Sequence, residues 1–239
     1  VDLASAIDTQ NQDFIADTKA QLADLSPYAT EALEWLMVEH YQFSYRSTKF
    51  LAAAAEVAMA FDTDAVNKEL ERNCNEENGH AVMYKAALKD IGVDVETRAE
   101  FASTSRFLAS IGDLCLRDPL AVLGLMFATE TAAIFEHEVF RDVSKEVIAR
   151  HKAGSQGDAL VYFHDMHLSG VEQSHREELG VFLRGIDKAR PVAPREGERP
   201  TIEPPKALAG AEQAIGAMRA WWADLLAELR ARSASAAAA

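Results

Sequence analysis

Residues 118–135 read DPLAVLGLMFATETAAIF, and this stretch decides the fold. Asp118 has the character of an N-cap, and Pro119 suits the first helical position, where its missing N–H is no loss. From Pro119 to Phe135 the segment is apolar nearly all round, so it predicts a central helix surrounded by others. Glu130 is the single charged residue within it. A lone carboxylate in such a helix costs on the order of several kcal/mol unless it is paired or binds a metal.

The remainder of the chain is helical on either side. Pro119 is the only proline between Tyr28 and Arg190, and no run of alternating β-branched residues reads as a strand. Helices are predicted over about residues 8–25 and 30–61. A third is capped by Asp62-Thr63-Asp64 and runs to the Ile91-Gly92 stop, and a fourth covers 99–116. The fifth spans 119–151. After the AGSQG break at 153–157, Asp158 caps a sixth that ends near Gly185. A last amphipathic helix over about 207–232 carries Trp221, Trp222, Leu225, Leu226 and Leu229, followed by an Ala/Ser tail expected to fray. The class is an all-α bundle of about seven helices. It divides into a helical catalytic domain over 1–188, a Pro-rich connector over 189–206, and a terminal helix and tail over 207–239. The Trp pair has two readings, packing back on the bundle or forming a homodimer seam or a cover for the site.

The chain's 239 residues suffice for one large core, and 49% hydrophobic with 26% charged residues is a globular balance. The net charge of -14 argues against nucleic acid or an anionic membrane as partner. Cys74 and Cys115 form no CxxC, so a reducing cytoplasm is expected. No segment reads as a leader or a membrane span, although the chain begins at Val1 rather than Met.

Ionisable residues stand where apolar ones belong. The stripe of the third helix runs Leu70, Cys74, Glu77, Ala81, Tyr84, Leu88, with His80 beside Glu77; Glu76 projects away and reads as solvated. In the sixth helix Glu172 and His175 repeat the Glu-x-x-His spacing, and His167 precedes His175 by two turns. Glu and neutral imidazole together suit a dioxygen-activating iron, and Glu-x-x-His pairs plus further Glu residues are how helical proteins hold two irons. Ordinary readings exist for each group: Glu77 and His80 as a surface pair, Glu130 satisfied by a Tyr or Arg, His167 and His175 bonded to backbone. His40, His137, His151 and His164 read as structural or solvated.

Three blocks carry a resemblance. LERNCNEENGHAVMYKAALKDIG (70–92), DPLAVLGLMFATE (118–130) and the segment 162–175 resemble motifs of the haem-oxygenase-like di-iron oxidases and oxygenases. These are relatives of the para-aminobenzoate-forming and thiaminase-II-like enzymes. The resemblance implies two iron ions, with manganese as an alternative, O2 and a small carboxylic acid, amino acid or amine as reactants, and no catalytic residue beyond the metal site. It implies one iron on Glu77, His80 and His167, a second on Glu172 and His175, and Glu130 as a bridge. A pocket would be lined by Tyr84, Leu123, Phe127, Phe163 and Met166; Arg46 or Lys49 is a candidate to hold a substrate carboxylate, with a solvated charge as the favoured reading of it.

One spacing departs from that family. His167 and Glu172 are one residue further apart than its pattern, a divergence of about 140° on a straight helix. Either a π-bulge near Gly170 realigns them or His164 takes the histidine role. Where para-aminobenzoate-forming relatives carry a sacrificial lysine, Phe140 stands, with Lys145 nearest. Three rival readings remain: a ferritin-like site using Glu39, a metal-free thiaminase-like enzyme using Cys74 or Cys115, and a non-enzymatic interaction protein.

Overall fold

A computed structural model describes residues 2–61, 64–97, 99–184 and 204–238. Its helices are α1 (Leu3–Gln21), α2 (Thr30–Ala58), α3 (Ala65–Glu77), α4 (His80–Asp90), α5 (Ala102–Leu114), α6 (Pro119–His151), α7 (Asp158–Met166), α8 (Glu172–Arg184) and α9 (Pro204–Ala237). Among the described residues there is no strand. The seven expected helices are present, two of them interrupted. The third breaks at Asn78-Gly79, where Gly79 adopts φ 99, a left-handed conformation that suits glycine. The sixth is interrupted by a π segment over His167–Val171.

Several boundaries differ from the sequence reading. α1 begins at Leu3, because Asp2 accepts from the Ala4 amide and Leu3, Ala4 and Ile7 are buried. Asp64 makes no side-chain cap bond, and Asp62 and Thr63 lie outside the described residues. The tail past Arg232 stays helical to Ala237, with Ser233 buried and accepting from the Ala29 amide. Most of the proposed connector, 189–203, lies outside the described residues.

α6 is the axis. It starts as expected, with Asp118 accepting from the Leu120 amide at 3.0 Å and Pro119 at the first position. It packs against α1, α2, α7, α8 and α9. Contrary to the sequence reading, α6 is by length and composition apolar enough to cross a membrane; the greater part of that window is buried inside the protein, as in a core helix. Phe127, Phe135, Phe140 and Val143 sit in the core beside Trp221 and Trp222 of α9, both about 1% exposed. The Trp pair therefore packs back on the bundle. Trp222 donates to Glu136 at 2.8 Å, and Trp221 donates to Thr104 at 2.9 Å.

α6 and α9 meet through small residues. A Cβ on Gly124 would stand 1.9 Å from the Ala207 carbonyl oxygen, and one on Gly210 would stand 2.0 Å from that of Ala121. Backbone, unlike a side-chain tip, cannot give way locally, so an added methyl pushes the helices apart. Gly124→Ala and Gly210→Ala should each destabilise the protein by about 3 kcal/mol, near the upper end of overpacking costs, in chemical denaturation. Gly216→Ala on the same helix, with nothing within 4 Å, should not destabilise it.

Candidate metal centre

The six residues predicted as ligands converge from α3, α4, α6, the π segment and α8. Glu77 and His80 flank the Asn78-Gly79 break, and their Oε2 and Nδ1 atoms lie 3.0 Å apart. His167 Nε2 is 3.1 Å from His80 Nδ1, 3.9 Å from Glu77 Oε2 and 3.9 Å from Glu172 Oε1. His175 Nδ1 stands 3.7 Å from Glu130 Oε2 and 3.9 Å from Glu172 Oε2. Two atoms each about 2.1 Å from one ion stand roughly 3 to 3.5 Å apart when adjacent, so these separations suit shared cations. Two groupings, Glu77 with His80 and His167, and Glu77 with Glu172 and His175, place one ligand atom from each residue within 4.8 Å.

The π segment makes this possible. Gly170 takes φ 119 inside it, which a residue with a Cβ resists, and the extra residue is absorbed between His167 and Glu172. His167 is thereby turned inward. Its Nδ1–H donates to the Phe163 carbonyl at 2.7 Å, since a carbonyl can only accept, and neutral His167 therefore presents a bare Nε2 lone pair to the site. The backbone bond foreseen as an ordinary reading occupies one nitrogen and frees the other. His164 points elsewhere, its Nδ1 3.1 Å from His137 Nδ1.

The charge at the site suits a cation. Among the described residues, the ion-pair partners of Glu77, Glu130 and Glu172 are all imidazoles. Glu77 Oε1 is buried without a hydrogen-bond partner. Burial drives the Glu77 carboxyl upward, but hydrogen bonds and charge from His167 and His80 outweigh it and hold it at about 2. Burial, then the Glu130 and Glu77 charges, push Glu172 well above the usual carboxylate range. For His175, burial favours the neutral ring, yet bonds and charge from Glu130, Glu76 and Glu77 lift it to about 9. A donor set of carboxylate oxygens and imidazole nitrogens with one orphaned oxygen fits a metal ion.

Three residues at the site escaped the sequence reading. Glu76, read as solvated, is partly exposed but lies 2.8 Å from His175 Nε2, where it accepts that N–H and leaves Nδ1 for the interior. Its direction from the helix wheel was right; what was missed is that α8 runs past that face. His137, read as structural or solvated, is buried, with Nε2 3.8 Å from Glu172 Oε1 and its ring stacked on His167. It lies seven residues after Glu130, the heptad spacing that keeps it on the same helical face. Glu136, 2% exposed, accepts from Trp222; burial lifts it to about 7.

A cavity of about 80 Å³ adjoins the cluster, walled by Phe43, Phe50, Leu51, Ile111, Met126 and Phe163, with Glu77, Glu130, Glu136 and Glu172 facing it. Of the pocket residues predicted, Phe163 lines it. Tyr84, Leu123 and Phe127 are instead core side chains, Tyr84 stacking on Phe163, and Met166 is not on the wall. The open space lies on the α2–α5 side of α6, which helical periodicity alone does not select. Arg46 borders a separate groove beside Glu39 and Glu100, and Lys49 is not on the wall, so neither expected cation faces the cavity.

The rival residues sit elsewhere too. Glu39 accepts from Thr104 at 2.6 Å, off the cavity wall. Cys115 is buried and its thiol is pushed up to about 12 by burial, while the partly buried Cys74 also lies off the wall.

No known family model matches the chain, and no curated protein matches it. Solved structures do. A CADD-like protein of unknown function from Nostoc punctiforme, solved in two crystal structures, superposes with TM-scores of 0.72 and 0.69 at 20% and 19% identity. Both superpositions cover 94% of this chain, and 98% and 96% of the matched chains. A domain of unknown function with a heme oxygenase-like fold from Shewanella denitrificans gives a TM-score of 0.60 at 19% identity, covering 95% of this chain and 89% of that one. The fold is haem-oxygenase-like. Within this haem-oxygenase-like fold, buried His and Glu groups of the present chain could hold a metal ion.

Two outcomes follow for the metal-free protein. Glu136 is protonated more readily folded than unfolded, so its contribution to stability is full below about pH 4.5 and is lost as pH rises through about 7. Glu136→Gln keeps an acceptor for Trp222, so it should match the parent's melting temperature below pH 4.5 and exceed it at pH 8, in melts across pH. Gly170→Ala should strain the π segment and weaken metal binding at least tenfold by isothermal titration, while circular dichroism stays helical.

Proposed function

We propose that this protein is a non-haem di-iron oxidoreductase that uses O2 to oxidise a small apolar amine. The observation that supports this most is the convergence of Glu77, His80, Glu130, His167, Glu172 and His175, whose carboxylates have only imidazoles as ion-pair partners among the described residues. The metals, when bound, supply the redox chemistry with O2. The chain's own residues bind, orient and exclude water. Glu77, His80 and His167 would hold one ion and Glu172 and His175 the other, with Glu130, 3.7 Å from His175, as a further carboxylate donor.

Around them, Phe163 and the Phe43, Phe50 and Ile111 wall keep the reacting space apolar. An outer groove lined by Tyr41, Tyr45, Asn78, Gly79 and Lys85 shares Ser44 and Glu77 with the cavity, which makes it the approach from solvent. The charge on the wall favours an amine over a carboxylic acid. Glu136 faces the cavity outside the six-residue cluster, and among the described residues no Lys or Arg does. A substrate ammonium would pair with that carboxylate, whose neighbour on the wall is the His40 imidazole at 3.9 Å, while a substrate carboxylate would find no Lys or Arg there among the described residues.

Anaerobic loading should give two Fe(II) per chain, and admitting O2 should produce an iron-dependent change in visible absorption. Glu130→Ala and His175→Ala should each lose at least one equivalent of iron. Should both bind iron as the parent does, the cluster is not the metal site. Oxygen-uptake screening should favour small hydrophobic amines over the matching carboxylic acids, and Glu136→Gln should raise KM for an active amine at least tenfold.

A further inference from the structure

A second group of imidazoles lies behind the six residues. His137 and His164 are both buried, their Nδ1 atoms are 3.1 Å apart, and His164 Nε2 has no hydrogen-bond partner among the described residues. Both rings sit among other imidazoles, His40 beside each and His167 stacked on His137. A 3.1 Å contact between two ring nitrogens needs one proton between them, and each neutral ring has one to place.

Two arrangements satisfy this. In the first, His164 Nδ1–H donates to His137 Nδ1, and the His137 proton sits on Nε2. That N–H then faces Glu172 Oε1 from 3.8 Å, beyond hydrogen-bond reach. In the second, His137 Nδ1–H donates to His164 Nδ1, and His137 Nε2 is a bare lone pair aimed at a carboxylate oxygen. A lone pair and a carboxylate 3.8 Å apart repel unless a cation stands between them. His137 Nε2, His167 Nε2 and a Glu172 oxygen all lie within 4.8 Å of one another. His167 already shows the same pattern, with Nδ1–H on an acceptor and Nε2 turned inward.

We propose that His137 is a seventh metal ligand, binding through Nε2, and that His164 is its positioning residue, accepting the Nδ1–H that fixes the tautomer and ring plane. This rests on the metal-centre reading above and extends it to residues that the resemblance did not supply. His164 acts through His137 and does not itself touch the ion.

The test uses Co(II) as probe on the full chain after chelator treatment, under anaerobic conditions. The parent should bind two equivalents. His137→Ala should bind one of them at least tenfold more weakly, with altered intensity of the visible Co(II) bands. His164→Ala should weaken the same equivalent about tenfold, within the range for lost outer-shell partners, and His164→Asn should restore it, because the Asn amide oxygen can accept from His137 Nδ1–H. A second measurement needs no substitution in the measured protein. In the Zn(II)-loaded parent with 15N-labelled histidine, the His137 Nε2 resonance, assigned by its absence in His137→Gln, should shift on metal addition. Unchanged Co(II) affinity and bands in His137→Ala, or an unmoved Nε2 resonance, overturns the proposal while the six-residue site stands. Failure of the parent to bind Co(II) overturns that site and the proposal with it.

Discussion

Three carboxylates from three helices, Glu77, Glu130 and Glu172, share one water-poor volume with imidazoles as their only ionic partners among the described residues. Everything around them answers that concentration of negative charge. Burial and the neighbouring carboxylates push Glu172 toward its neutral form, and the carboxylates around His175 push it toward its charged one. The fold supplies the rigidity that keeps the acids together: α6 carries Glu130 through the centre, and α9 clamps α6 by backbone contact at Gly124 and Gly210.

The clamp also explains the terminal helix. Its Trp residues do more than fill volume, since Trp222 is the donor that satisfies one oxygen of Glu136 and Trp221 braces Thr104. The other side of Glu136 faces the cavity. Its Oε2 lies 3.9 Å from His40 Nε2, so the acid joins α9 on one side to the imidazoles of the cavity wall on the other.

Much of this was legible in the residues. The apolar run after Asp118, its proline start and the lone Glu130 identified α6 and its central place, and the two Glu-x-x-His spacings named residues that the structure brings close together. The one-residue excess between His167 and Glu172 pointed to a π segment near Gly170, which is where the structure has one. Other features were not legible because they depend on which helix lies opposite. Gly79 breaks a pattern that looks continuous, since Glu77 and His80 read alike on a straight helix and across a kink. The cavity opened toward α2 and α5, so Phe43, Phe50 and Ile111 line it in place of Tyr84, Leu123 and Phe127. Glu76 and His137 gain their partners only by tertiary contact.

The inserted residue at the π segment bears on how kin of this chain are to be recognised. Any pattern that counts a fixed number of letters between the histidine and the acid will slip out of register here, pairing Glu172 with a neighbour and losing the His/Glu signature. Allowing one optional letter before the acid restores it. Chains that share this stagger form a natural group to sort together, whatever their overall percentage of matching residues.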